Sequence, residues 1–315
     1  MNTSAPLTLS EFVGNEAAIN KIKMLAEACK KRGMVDFPHL GLFGPAGVGK
    51  TLLSSLIAKE LGGKFILINS TGLKDPMQFR ELLRPLQNDI SHLHIFLFDE
   101  AHALNNTITN SLLSVMENNT LTTTYKDNGV QKTLSEWVPI NFIAILATTD
   151  EGRLFQPLLS RCESIHLREY SKDESKRIAQ SVINKQGFSI DDNALESIAE
   201  RGKGTGRDIV HLASRICDMS LVNDSNNVTA EIANKCFDIL DIDEIGLDDR
   251  DRVVLKYLDK NGASSISTLA RLLSLPEITL RENIERYMIK KNLVMINSGG
   301  RELTQAGREH IRKSR

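Results

Sequence analysis

Residues Gly44 to Thr51 read G-P-A-G-V-G-K-T, and few folds accommodate that octet. It matches G-x-x-x-x-G-K-[ST], a loop whose backbone N–H groups converge on phosphate oxygens. Gly44, Gly47 and Gly49 let the chain curl into such a nest. Lys50 is long enough to reach outer phosphates, and the Thr51 hydroxyl is a hard-oxygen ligand for Mg2+. The context agrees with the motif. The apolar run His39 to Phe43 precedes the loop as a buried strand would. Behind it, Leu52, Leu53, Leu56 and Ile57 recur at helical spacing, with Gly62 where a helix would stop. A strand, the loop and a helix N-terminus in that order form an anion site.

Further strand candidates are Phe65–Asn69, Ile95–Phe98 and Phe142–Ala147, with helical patterns between them. The expected fold class is therefore α/β with a mainly parallel sheet over residues 1–172. Residues 173–243 carry only helical patterns and read as a small all-α domain. From 244 to 315 three helical patterns are followed by "LVMINSGGRELT", two short strands around a Ser-Gly-Gly turn. That order resembles a winged helix. Between the second and third domains runs the acidic stretch "DILDIDEIGLDDRD", and residues 281–315 are basic. Such asymmetry suits a polyanion-binding C-terminal end. Net charge is only −1, so the chain as a whole is not basic. The insert "TLTTTYKDNGVQKTLSEW", Thr120 to Trp137, has a hairpin turn signal at Asp127-Asn128-Gly129. It is expected to project from the core as a docking surface or a solvent-exposed decoration.

The segment "IFLFDEAH" ends an apolar strand in two acids. Asp99 is placed to hold Mg2+ and Glu100 to polarise an attacking water. "LATTD" puts Thr148 and Thr149 at another strand end, where a hydroxyl can orient water or touch a γ-phosphate. Arg161 in "PLLSRCE" and Arg207 in "GKGTGR" are candidates for stabilising transferred phosphoryl charge. Spacing alone does not select them from the other arginines. Cys29, Cys162, Cys217 and Cys236 have no C-x-x-C spacing and read as reduced thiols of a cytoplasmic protein. No apolar run approaches the roughly 20 residues of a membrane span, and "MNTSAPLTLSEF" does not read as a secretory signal.

The order of phosphate loop, Asp-Glu strand, Thr-Thr strand end, "SRC" arginine and "GTGR" arginine resembles the AAA+ ATPases. Among them the chain is most similar to the RuvB family of Holliday-junction branch-migration motors. The opening "LSEFVGNEAAINKIKMLAEACKKRG" and the joint "ILDIDEIGLDDRDRVVL" carry that likeness. The resemblance implies ATP as ligand, bound by Gly44, Pro45, Ala46, Gly47, Val48, Gly49, Lys50, Thr51 and Leu52, with Phe12 and Val13 on the adenine. It implies Mg2+ at Thr51 and Asp99, Glu100 as catalytic base, and Thr149 as first sensor ahead of Thr148. It further implies Arg161 as a finger acting in a neighbouring subunit, Arg207 as second sensor, and Arg301 in the wing facing DNA. A hexameric ring, four-way junction or duplex DNA, and a RuvA-like partner on the Asp127–Gly129 hairpin complete the expectation.

The sequence also departs from the family pattern. Asn15 stands where Gln is usual, Asp150 where Arg is usual, and Leu159 where one arginine of P-L-R-D-R-F is expected. "SRC" is itself like the clamp-loader ATPases. Two other readings therefore compete with the motor. One is a clamp-loader-like subunit, whose C-terminal domain would be a helical collar. The other is a nucleotide-sensing DNA-binding regulator that turns over slowly or not at all.

Overall fold

The computed structural model describes residues 8–34, 36–89, 91–127, 129–138 and 141–313. Contacts divide the chain between Glu169 and Tyr170 into two compact units.

The first unit is built on five parallel strands, β1 His39–Phe43, β2 Lys64–Asn69, β3 His94–Asp99, β6 Phe142–Thr148 and β7 Cys162–His166, in the order β2-β3-β6-β1-β7. Side chains alternate faces along a strand, and this alternation sorts the core into two layers. Leu40, Leu42, Ile95, Leu97, Ile143 and Ile145 pack on one face with Ile19 and Ile22 of α1 Glu16–Lys31 and Leu53 and Ile57 of α2 Lys50–Glu60. Phe96, Phe98, Ala144 and Leu146 pack on the other with Phe79 and Leu83 of α3 Pro76–Leu83 and Ile108, Leu112 and Val115 of α4 Asn106–Asn118. Helix α3 starts where its sequence dictates. Asp75 accepts from the Met77 N–H at 2.9 Å, Gln78 closes a capping box, and Pro76 opens the helix. The short helix α5 Gln156–Leu159 leads into β7.

The hairpin forms as β4 Thr120–Asp127 paired antiparallel to β5 Val130–Trp137. Asn128 of its turn lies outside the described residues. Leu121 and Val138 root the hairpin in the core, and a bidentate Arg80–Glu136 pair (2.9 and 2.7 Å) ties it to α3. Tyr125, Val130, Leu134 and Trp137 are exposed on it.

Four strands of this sheet are expected from apolar runs in the sequence; β7 is a fifth. Its segment, C-E-S-I-H, has one buried apolar residue, because it is the edge strand beside β1. Polar edge strands lack the alternation that betrays half-buried ones.

His39, at the start of β1, makes this sheet sensitive to pH. Its Nδ1 accepts from the Ala144 N–H at 2.9 Å, which requires the neutral ring. Burial pushes its pKa down to about 4, against a smaller raising effect of the Met116 backbone. A base whose folded pKa lies below its unfolded value adds stability that is complete above the unfolded pKa and lost as pH falls towards the folded one. We expect about 2 kcal/mol to be lost between pH 7 and pH 5. Urea titrations at the two pH values check this, and His39→Asn should remove most of the difference.

The second unit holds two cores. The first belongs to α6 Lys172–Lys185, α7 Asp192–Arg201, α8 Gly206–Val222 and α9 Ala230–Ile239, with the two-residue strands β8 Ser189–Ile190 and β9 Asn227–Val228 alongside. Ser171 and Glu174 form the capping box that starts α6. The other core is a winged helix. Its helices are α10 Asp249–Asn261, α11 Ile266–Leu272 and α12 Glu277–Thr279, which runs through a π turn, Leu280–Glu285, into α13 Arg286–Lys290. The wing is β10 Val294–Asn297 paired with β11 Gly300–Leu303, and α14 Gln305–Lys313 closes the domain. No helix among the described residues is long and apolar enough to cross a membrane.

Candidate active site

Because β1, β3 and β6 are adjacent and parallel, their C-terminal ends share one edge of the sheet. The edge carries the Gly44–Gly49 loop after β1, Asp99 and Glu100 at the end of β3, and Thr148 and Thr149 at the end of β6. Register fixes their levels: Phe43 is opposite Thr148, and Asn69 opposite Asp99.

The loop needs its glycines. Gly44 has φ +148°, and a Cβ there would lie 2.3 Å from the Leu167 carbonyl oxygen. Gly47 and Gly49 also have positive φ, at +77° and +96°. Val48 is fully buried and pins the loop to the core. Lys50 is 7% exposed, and its Nζ donates to the Gly44 and Pro45 carbonyls at 2.7 and 2.8 Å. The ammonium thus stays at the loop, where it can face phosphate. Pro45 and Ala46 are half-buried in the loop, while Thr51 and Leu52 open α2 on the exposed side. Phe12 packs against the core shared with α1 and α2; Val13 beside it is half-buried.

Glu100 adopts a left-handed backbone, φ +52°. A non-glycine residue held there stores about 1 kcal/mol or more, a cost that turns the chain sharply out of β3. Its N–H donates to Asp99 Oδ1 at 3.1 Å. Thr148 is fully buried, and its Oγ1 lies 2.7 Å from His102 Nδ1 and accepts from the Asp150 N–H at 3.0 Å. Thr149 is half-buried. His102 closes the segment "IFLFDEAH", and nothing adjacent in sequence marks it as functional. Its partner is 46 residues away, and only strand pairing brings them together.

Arg161 lies between α5 and β7. Its guanidinium is held by Glu117 of α4, with Nε 2.5 Å from Oε1, and by the Pro157 carbonyl at 2.8 Å. Arg207 is exposed on the first turn of α8, in the second unit. Arg301 differs from the expectation of a cation facing DNA. Its side chain is 15% exposed and forks onto Glu285 at 2.5 and 3.3 Å. The guanidinium is already committed to a buried carboxylate of the π turn. Arg281, Arg286, Lys290 and Lys291 are among the exposed cations of the same domain.

Among the described residues no group of three or more His, Cys, Asp or Glu could cage a metal. A hydroxyl from Thr51 and a carboxylate from Asp99 are nevertheless the donor set that suits Mg2+. That ion takes hard oxygens, keeps several waters and shares its shell with phosphates.

Residues 5–167 match the family model described as the Holliday junction DNA helicase RuvB P-loop domain. Residues 170–243 match the RuvB AAA lid domain, and residues 244–312 the RuvB C-terminal winged helix domain. The chain belongs to the RuvB family. A relative from Fervidobacterium nodosum, the Holliday junction branch migration complex subunit RuvB, is 30% identical over 311 residues, covering 97% of this chain and 88% of the relative. The Thermotoga maritima RuvB Holliday junction branch migration motor superposes with a TM-score of 0.84 at 29% identity, covering 98% and 97% of the two chains. A mutant of that RuvB gives 0.84 at 30% identity, covering 98% of each.

Within this RuvB-family chain the sequence departures have local explanations. Asn15 Nδ2 donates to the Arg168 carbonyl at 3.1 Å, and its Oδ1 accepts from the Arg168 N–H at 2.7 Å. The shorter amide staples the opening segment to the chain two residues beyond β7. Leu159 packs against the core layer of Leu158 and Phe98, where an arginine would have to leave its charge. Asp150 is exposed and contributes its backbone, not its carboxylate, to the Thr148 hydroxyl.

Proposed function

We propose that this chain is an ATP-hydrolysing motor that drives branch migration of Holliday junctions in recombination and DNA repair, working in the cytoplasm as a ring, most simply a hexamer. The observation that carries the reading is the shared sheet edge. A phosphate loop, an Asp-Glu pair and a Thr-Thr pair stand at the ends of three neighbouring parallel strands in a RuvB-family chain.

The roles follow from the chemistry of phosphoryl transfer, which needs positioning and charge stabilisation more than covalent catalysis. The Gly44–Gly49 backbone and Lys50 cradle the phosphates of ATP, and Phe12 and Val13 pack on its adenine. Thr51 and Asp99 hold Mg2+, which supplies positive charge to the phosphate oxygens when bound. Glu100 accepts the proton of the attacking water. Thr149 reads the γ-phosphate, Arg207 reads the nucleotide from the lid, and Arg161 reaches a neighbour's site. The exposed apolar face of β4–β5 receives a RuvA-like partner, and the basic face around the wing meets DNA phosphates.

A clamp-loader-like subunit is disfavoured because α10–α14 with the β10–β11 wing is not a helical collar. The slow regulator predicts sequence-selective duplex binding without DNA-stimulated turnover. The deciding experiment is ATP-dependent dissociation of a synthetic mobile four-way junction, with and without a RuvA-type protein. Dissociation by the native chain, absent with Glu100→Gln, is the expected result. Sequence-selective duplex binding with no dissociation under either condition overturns the motor.

A further inference from the structure

A general base must be aimed as well as basic. The Glu100 side chain is 40% exposed and has three rotatable bonds, so water alone does not fix it. Bases in enzyme sites are commonly oriented by a third group. A neighbour that offers this is His102, on the turn Ala101–Ala103 directly after Glu100. Its side chain is 14% exposed, and one nitrogen faces two acceptors: Nδ1 is 2.7 Å from Thr148 Oγ1 and 3.4 Å from Glu100 Oε2.

We propose that His102 is a positioning residue for Glu100, its Nδ1–H attracting the carboxylate 3.4 Å away and linking it to the end of β6 through Thr148. This rests on the assignment of Glu100 as the base.

The hydrogen-bond inventory of Thr148 gives the link its logic. Its hydroxyl oxygen accepts from the Asp150 N–H at 3.0 Å, and its single proton has two possible destinations. Directed at His102 Nδ1, it requires that nitrogen to be bare, and a bare nitrogen cannot hold Glu100. Directed at the Asp150 carbonyl, 3.3 Å away, it lets Nδ1–H donate to the hydroxyl oxygen while its positive end also faces the Glu100 carboxylate 3.4 Å away. Both arrangements satisfy the buried hydroxyl, so neither leaves an orphan polar group. Which one prevails depends on where the Thr148–Asp150 backbone sits, and that backbone carries Thr149. A movement at that end of β6 thereby reaches the base through Thr148 and His102.

The test exploits the two ring nitrogens. The Asn amide nitrogen falls near Nδ1 of histidine, and the Gln amide nitrogen near Nε2. His102→Ala and His102→Gln are expected to lower the kcat for ATP by about 10- to 100-fold, the range known for groups that orient metal-ligating side chains. His102→Asn should stay within about threefold of native on the same reasoning. Affinity for a fluorescent ATP analogue and the melting temperature should be unchanged in all three. His102→Ala should add nothing to the loss already caused by Glu100→Gln.

Equal loss in the Asn and Gln variants overturns the proposal, as does a fall in nucleotide affinity or melting temperature that tracks the loss of kcat. Full turnover in His102→Gln alongside an inactive Glu100→Gln also overturns it while leaving the base assignment intact. Full turnover in Glu100→Gln itself removes the base, and with it the ground for this role.

Discussion

Mixing equal amounts of Arg161→Ala and Glu100→Gln protein is expected to restore ATP hydrolysis that neither variant performs alone. An arginine delivered from a neighbour to the transferring phosphoryl group is worth about 10³- to 10⁵-fold in kcat, and loss of a general base about 10²- to 10⁴-fold. In the proposed ring, each pure assembly lacks one of the two at every interface. In a mixed ring, a subunit with intact Glu100 beside one with intact Arg161 forms a complete site. Random assembly makes about a quarter of the interfaces complete, so about a quarter of native turnover is the expected yield if sites fire independently. The local geometry permits the hand-over. Arg161 and Glu117 are 36% and 39% exposed, and a pair that wet contributes at most about 1 kcal/mol. Exchanging Glu117 for a phosphate is therefore cheap. Phosphate release across a mixing series measures the effect. No recovery at any ratio would mean that Arg161 does not act in trans, and native turnover in Arg161→Ala alone would remove it from the site.

What the sequence made legible was whatever is written in consecutive residues. The loop, its strand and its helix occupy one stretch, so their chemistry and local fold can be read together. Strands β3 and β6 are buried on both faces and appear as uninterrupted apolar runs. Edge strand β7 has no such run. Pairings between distant segments were invisible for a different reason. Arg301 reads as a wing cation because nothing nearby in sequence claims it. The carboxylate that does, Glu285, lies on a π turn, and no periodicity in the sequence announces one. His102 and Thr148 meet only through the register of β3 on β6. The departures at Asn15 and Leu159 were visible as letters. Their consequences depended on the Arg168 backbone and on a core layer that the letters do not describe.

The same invisibility hid the ion pair between Lys203, in the "GKGTGR" segment, and Asp251, in the first winged-helix turn. Lys203→Ala is expected to destabilise residues 170–313 by about 3–5 kcal/mol, the usual penalty for leaving a buried charge without its partner. Asp251 is fully buried. Its Oδ2 takes Lys203 Nζ at 2.6 Å and the Asp248 N–H at 3.0 Å, and its Oδ1 is a buried atom with no hydrogen-bond partner. The ammonium also stands 5.5 Å from the centre of the Tyr287 ring, whose hydroxyl donates to the Ile245 carbonyl at 2.5 Å.

Burial pushes the Asp251 carboxyl above its usual range, and Lys203 opposes that rise. An acid whose folded pKa exceeds its unfolded one binds more protons when folded. Its penalty is full above the folded pKa and is relieved as pH falls through it. Without Lys203 the penalty grows, so the deficit of Lys203→Ala should be large at pH 8 and smaller at pH 5. Asp251→Asn added to Lys203→Ala should recover much of the loss, because a neutral amide needs no cation. Hydrogen exchange of the α7 and α10 amides in the full chain, at both pH values, reads this unit separately from the ATPase unit. A deficit that ignores pH and survives in the double variant would trace the loss to packing around the lysine stem instead of charge. In that case Lys203→Met, which keeps the stem, would restore it.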